Sequence, residues 1–142
     1  MGRKDEIRSK VKDILDTKFD VENVNYVPDI ENSKLIYGNK GLQFKGAVLY
    51  IDMRGSTTIL TKHNRPVVAK IHMSYFYTVL KIAEDHHGEV RSFNGDSVLV
   101  FFEGDNQESI NAAVTAAFEI TYMIASNKGI NQSLQKYYQH SA

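Results

Sequence analysis

The sequence predicts an α/β fold, with helices packed on a mixed, mainly antiparallel sheet, and three observations carry that expectation. GAVLYID at 46–52 is apolar and rich in β-formers, as a buried strand is. EVRSF (89–93) and SVLVFF (97–102) flank Asn94-Gly95-Asp96, and Asn-Gly between β-rich runs is a strong short-range hairpin signal, since both residues accept positive φ. Two long stretches, one between these strands and one after them, carry apolar residues at helical spacing.

Composition sets the bounds. The 142 residues suit one domain with a real core. The 42% hydrophobic content set against 24% charged excludes a wholly disordered chain. No apolar run approaches the ~20 residues of a membrane span. MGRKDEIRSK has no apolar region behind its charges, and Glu6 stands where myristoylation needs Ser or Thr. The absence of Cys removes disulfides, Fe–S clusters and thiolate zinc. With 17 Lys and Arg against 17 Asp and Glu, no basic excess points to nucleic acid. A cytoplasmic protein that binds neither membrane nor nucleic acid is expected.

In chain order, Ile7, Val11, Ile14 and Leu15 predict an amphipathic helix over 3–17. Val21, Val24 and Val27 suggest extended pieces within 18–45, interrupted by Pro28, Gly38 and Gly41, so residues 1–45 read as a helix and an irregular arm. The rest, 46–142, reads as the functional domain. After the strand at 46–52, Met53-Arg54-Gly55 turns, and Ser56 or Thr57 can cap a short helix. Pro66 suits the first turn of a helix over 66–86, with Val67, Ile71, Tyr75, Val79 and Ile82 on one face and His86-His87-Gly88 at its end. A helix over 107–126 carries Ile110, Val114, Ala117, Phe118, Thr121 and Ile124, with Asn106 as its cap and Gly129 beyond it. The polar tail predicts a loosely packed helix.

Two acids stand in unusual places: Asp52 ends an apolar strand, and Asp96 sits at the hairpin tip. If the strand lies beside the hairpin, both emerge at one edge, where their repulsion calls for a cation. Hard oxygen ligands without His or Cys suit Mg²⁺ or Mn²⁺, which favour a few carboxylates plus substrate phosphates. The following helix start offers backbone N–H groups to phosphate. On the residues alone, the simpler reading is that both acids are ordinary turn residues, since Asp is common in turns.

LYIDMRGSTTIL (49–60) followed by GEVRSFNGDSVLVFF (88–102) resembles the class III nucleotidyl cyclases, in order and spacing over about 46–126. That resemblance implies a ferredoxin-like palm and a catalytic pair, Asp52 and Asp96, binding two Mn²⁺ or Mg²⁺ ions with the Met53 carbonyl. It further implies that Arg54, Gly55, Ser56 and Thr57 hold the triphosphate, and that two subunits assemble head to tail. The reaction implied is attack of a ribose 3′-hydroxyl on the α-phosphate, expelling pyrophosphate.

Base selection follows from the same comparison. Adenylate cyclases carry Lys four residues before the hairpin Asp, and guanylate cyclases carry Glu; here that position is Ser92. Tyr50, two residues before Asp52 and on the same strand face, shortens the pocket toward a small base. LYIDMRGST and RSFNGD are similar to the pyrimidine cyclases of bacterial anti-phage (Pycsar) systems. UTP to cyclic UMP is therefore the leading expectation, with CTP to cyclic CMP next. The family's later Gly-x-x-Val-Asn-x-Ala-x-Arg segment is absent from these residues, which keeps open a catalytically incomplete module that binds nucleotide or dimerises. A diguanylate cyclase fits less well, because Phe93-Asn94-Gly95-Asp96-Ser97 departs from that hairpin. Lys62, His63 and Arg65 read as a surface cluster, His72 as packing or solvent-facing, and Tyr75, Phe76 and Tyr77 as core or dimer interface.

Overall fold

The computed structural model describes residues 2–29, 39–54, 61–126 and 129–138. They divide into two compact units, Met1–Phe44 and Lys45–Ala142. Gly38 lies outside the described residues.

The first unit opens with α1 (Arg3–Asp16), whose Ile7, Val11, Ile14 and Leu15 are all exposed. Two short strands follow, β1 (Asp20–Asn23) and β2 (Lys40–Gln43), paired in parallel from Asp20↔Lys40 to Asn23↔Gln43. This corrects the irregular arm expected for 18–45. Each strand has only four residues, and the pairing joins segments far apart in sequence, so local periodicity carries no sign of it. The Asn39 amide donates to the carbonyls of Ile14 and Thr17, tying the strand entry to the helix end.

In the second unit, β3 (Gly46–Asp52) is followed by α2 (Arg65–Asp85), β4 (Glu89–Asn94), β5 (Ser97–Glu103), α3 (Asn106–Ala125) and α4 (Ile130–Tyr138). The strands order β3-β5-β4, antiparallel throughout. The central strand alternates, and Val98, Val100 and Phe102 are fully buried beneath Ile71, Tyr75 and Val79 of α2 and Ala113, Ala116 and Ile120 of α3. Val48 and Tyr50, on the opposite face, are exposed.

Several local expectations are refined. The turn is Gly95-Asp96, with positive φ (66°) at Gly95 and not at Asn94, the II′ pattern in which only the first central residue is left-handed. The α2 cap is Asn64, whose side chain accepts from the Val67 N–H at 3.1 Å. The α3 cap is Asp105 rather than Asn106, accepting from the Glu108 N–H at 3.0 Å. The buried stripe of α3 is Ser109, Ala113, Ala116 and Ile120, not the face of Ile110, Val114 and Phe118. Small side chains let the helix approach the sheet and α2 closely, which leaves Phe118 73% exposed. Tyr77 of α2 is likewise outside, while Tyr75 is core. The tail helix is anchored by Leu134, which is buried in the same core.

Candidate functional site

The site grows from the end of the β3–β5 ladder. Asp52 faces Ser97 in register, and one step further the Met53 N–H donates to the Asp96 carbonyl at 3.1 Å. That bond extends the ladder past the strand end and fastens Asp52 and Asp96 to one end of one sheet. Gly95 makes the sharp turn possible, and the Ser97 hydroxyl closes it by donating to the Asn94 carbonyl at 3.0 Å. The Met53 side chain is buried in the core, so the backbone between the acids is held from below.

Tyr75 of α2 belongs to the core beneath the sheet. It is 4% exposed, and its phenol oxygen is buried without a hydrogen-bond partner among the described residues. Burial first, then the charges of Asp52, Asp96 and Tyr50, push the phenol up to about 12.

Among the described residues no three His, Asp or Glu groups form a metal-binding cluster. A cation here would rest on the two carboxylates, a backbone carbonyl such as that of Met53, and oxygens of its own ligand. That donor set fits Mg²⁺ or Mn²⁺, which accept one or two carboxylates and complete their shells with phosphate and water.

Tyr50 and Ser92 are brought together by register. Tyr50 lies opposite Leu99, and Leu99 opposite Ser92, so the three form one cross-strand row on one sheet face. Two strand spacings separate Tyr50 from Ser92, roughly 10 Å. Tyr50 is 63% exposed there, with Asp52 two residues along on the same face. Packing against the helices therefore does not explain it. A β-bulge at Arg91 sets this row, because the ladder shifts between Val90 and Ser92. Arg54 is exposed in the turn after Met53. Gly55, Ser56 and Thr57, expected to hold phosphate, lie outside the described residues.

Beside Asp96 opens a cleft of about 520 Å³, lined by His63, Arg65, Val68, Ala69, His72 and Gly95. Two parts of this wall were read from sequence as surface or packing. His72 Nδ1 lies 2.9 Å from the Val68 carbonyl and so carries its proton there, leaving Nε2 as the ring's other polar atom. The signal that could have found the cleft was His63 and Arg65 flanking the Asn64 cap of a helix that starts near the hairpin tip.

The sheet and its hairpin are similar to those of a solved guanylyl cyclase, and the sequence is similar to uridylate cyclases. No protein-family model matches the chain. Over 139 residues it is 28% identical to a uridylate cyclase of Xanthomonas perforans, a match covering 96% of this chain and 60% of that protein. A uridylate cyclase of Rhodovulum sp. (strain MB263) is 29% identical over 126 residues, covering 87% of this chain and 52% of the relative. Among solved structures, the guanylyl cyclase Cya2 superposes with a TM-score of 0.56 at 26% identity, over 63% of this chain and 45% of that one. The chain therefore spans little more than half the length of the curated relatives it matches. No helix among the described residues is long and apolar enough to cross a membrane.

Proposed function

We propose that the unit Lys45–Ala142 is the metal- and phosphate-binding part of a pyrimidine nucleotide cyclase that converts UTP to 3′,5′-cyclic UMP and pyrophosphate. The observation that carries this reading is the β3–β5 register, which sets Asp52 opposite Ser97 and joins Met53 to Asp96 by a backbone hydrogen bond. Two acids fixed at one sheet end, with an open cleft and an arginine beside them, suit a polyphosphate carried with divalent cations. The names of the relatives favour uridine, and the open-face row of Tyr50 and Ser92 supplies a polar, non-lysine, non-glutamate base contact in keeping with a pyrimidine.

In this reading Asp52, Asp96 and the Met53 carbonyl would hold two Mn²⁺ or Mg²⁺ ions. Such ions neutralise phosphate charge and ease ionisation of the attacking 3′-hydroxyl. The chain's own part is positional. The backbone bond between Met53 and Asp96 keeps the two carboxylates from separating as they repel. Arg54, with Gly55, Ser56 and Thr57, orients the triphosphate, and Arg65 faces the outgoing charge from the cleft. Tyr50 and Ser92 set the depth and polarity of the base pocket. A head-to-tail homodimer, a cytoplasmic location and a second-messenger role in bacterial anti-phage defence complete the proposal.

The test is product analysis after incubating the chain with each of the four nucleoside triphosphates and Mn²⁺. Cyclic UMP with equimolar pyrophosphate supports the reading. Cyclic CMP alone transfers it to cytidylate cyclisation, and binding of nucleotide without any cyclic product replaces it with a non-catalytic module.

A further inference from the structure

α2 and α3 meet the sheet with Ile71, Tyr75, Val79, Ala113, Ala116 and Ile120, yet further large apolar side chains of both helices point the other way. Met73, Tyr77, Phe118 and Tyr122 are each more than half exposed. They stand around two adjoining hollows. One, of about 580 Å³, lies between the helices, with Tyr77, Lys81 and Ile82 on the α2 wall and Phe118, Glu119 and Tyr122 on the α3 wall. The other, of about 490 Å³, is bordered by α2 and α4, reaches Met73 and Leu134, and shares Tyr77 and Thr78 with the first. Tyr77 is thus a ridge between two hollows, and the patch holds knob and hole at once. Aromatic and Met side chains gathered in one place with few charges among them are the composition of an interface centre. The charges it does carry are of both signs and sit on facing walls. Lys81 on α2 is exposed and has no partner among the described residues. Glu119 on α3 lies 3.0 Å from His86 Nε2 and is still half exposed.

We propose that this face is where two copies of the chain meet about a two-fold axis. Such a contact uses the same patch twice, so that residue i of one copy meets residue j of the other and j meets i. With Lys81 and Glu119 on facing walls, one rotation brings Lys81 of each copy to Glu119 of the other, while Tyr77 and Phe118 of each enter the hollows opposite. A patch of one sign would select a partner of the other sign; a patch bearing both, across an apolar centre, complements itself. A small apolar ligand would leave most of so open a surface uncovered, since ligand sites enclose most of their occupant. The contact lies on the helix side of the sheet, leaves the open face of Tyr50 and Ser92 uncovered, and stands independently of the cyclase reading.

The test is self-association of the whole chain by sedimentation equilibrium, with thermal unfolding as the check on folding. Phe118→Asp, at an exposed side chain, should unfold at the same temperature yet self-associate about 30-fold more weakly, the scale of losing an aromatic anchor at an interface centre. Lys81→Glu and Glu119→Lys should each weaken association about 10-fold by setting like charges against each other. The chain carrying both reversals restores opposite signs across the axis and should return to within about 3-fold of the unaltered chain. Because the sequence has no Cys, a short bis-maleimide should join Lys81→Cys chains to Glu119→Cys chains on mixing, and Phe118→Asp in both should prevent it. That cross-link distinguishes this contact from any pairing through the open sheet face. A double reversal no better than the single ones, or undiminished association and cross-linking in Phe118→Asp, overturns the proposal. An apolar dye that fills the groove of a chain giving no such cross-link also overturns it, in favour of a small-molecule site.

Discussion

The chemistry proposed for Asp52 and Asp96 rests on very little local structure: a strand end, a two-residue turn and one backbone bond between Met53 and Asp96. Neither carboxylate is needed for packing, since Asp52 is exposed and Asp96 half-buried. Asp52→Ala or Asp96→Ala should therefore leave a folded chain while lowering cyclic product by at least about 100-fold, the scale of losing a transition-state charge contact. Circular dichroism with product analysis checks both halves, and turnover like that of the unaltered chain in either variant removes the acids from the site. Tyr75 makes a separate prediction through pH. Its folded pKa of about 12 stands above the usual phenol value of 10.0, so folding favours the protonated form. The associated stability is whole below pH 10 and is lost as pH rises through 12. Tyr75→Phe should lose less stability than the unaltered chain between those values, measured by urea unfolding at pH 9 and pH 11. Sequence made the two acids and the Tyr50–Ser92 pair conspicuous, because each breaks a pattern of strand or motif. It gave no hint that the Tyr75 hydroxyl is buried without a partner among the described residues, which depends on what surrounds a helix face in three dimensions.

At the level of elements, the close of α2 shows how strands and helices were legible while their junctions were less so. The His87 N–H donates to the Glu84 carbonyl at 3.0 Å and the Gly88 N–H to the Ala83 carbonyl at 2.8 Å, a complete Schellman motif. Its left-handed residue is His87 (φ 62°), not the glycine that follows. Gly88 serves another purpose: a Cβ there would meet the Phe102 and Val100 side chains at 2.8 Å. His87→Gly should then stabilise the chain by about 0.5–1 kcal/mol, as it relieves a strained φ at the cost of some backbone entropy. Gly88→Ala should destabilise it by roughly 1–3 kcal/mol through overpacking. Thermal unfolding of the pair reads both signs, and the same sign for both would show that the two positions are misassigned. HHG could be read as a helix end, but which residue turns left-handed depends on Phe102 and Val100 lying behind Gly88. The same holds for α3. Its large apolar residues suggested the inner face, whereas the tight approach to β3 and α2 selected Ser109, Ala113 and Ala116. The parallel pairing of β1 and β2 was hidden for a related reason, since nothing within four residues encodes a partner so distant in sequence.

For the whole molecule, the question is which groups of an assembled site come from one chain. Asp52 ends β3 and Asp96 stands in the turn leading into the adjacent β5, joined through the Met53 N–H, so in the proposed site one chain would supply both acids. In a head-to-tail homodimer the remaining groups would come from the partner, and variants damaged in different halves of a shared site could rescue each other on mixing. Asp52→Ala and Asp96→Ala cannot do so. A mixed dimer would hold one site with Asp96 alone and one with Asp52 alone, and a single carboxylate is a poor anchor for two divalent ions. Equimolar mixtures of the two variants, unfolded together in urea and refolded to exchange subunits, should form no more cyclic product than either variant alone. Refolding the unaltered chain by the same route must restore its own activity, which guards against a trivial negative. Recovery of about a quarter or more of that activity would mean that Asp52 of one chain works with Asp96 of another. The shared sheet end would then have been misread as a site, and the cyclase proposal would need a different pair of acids.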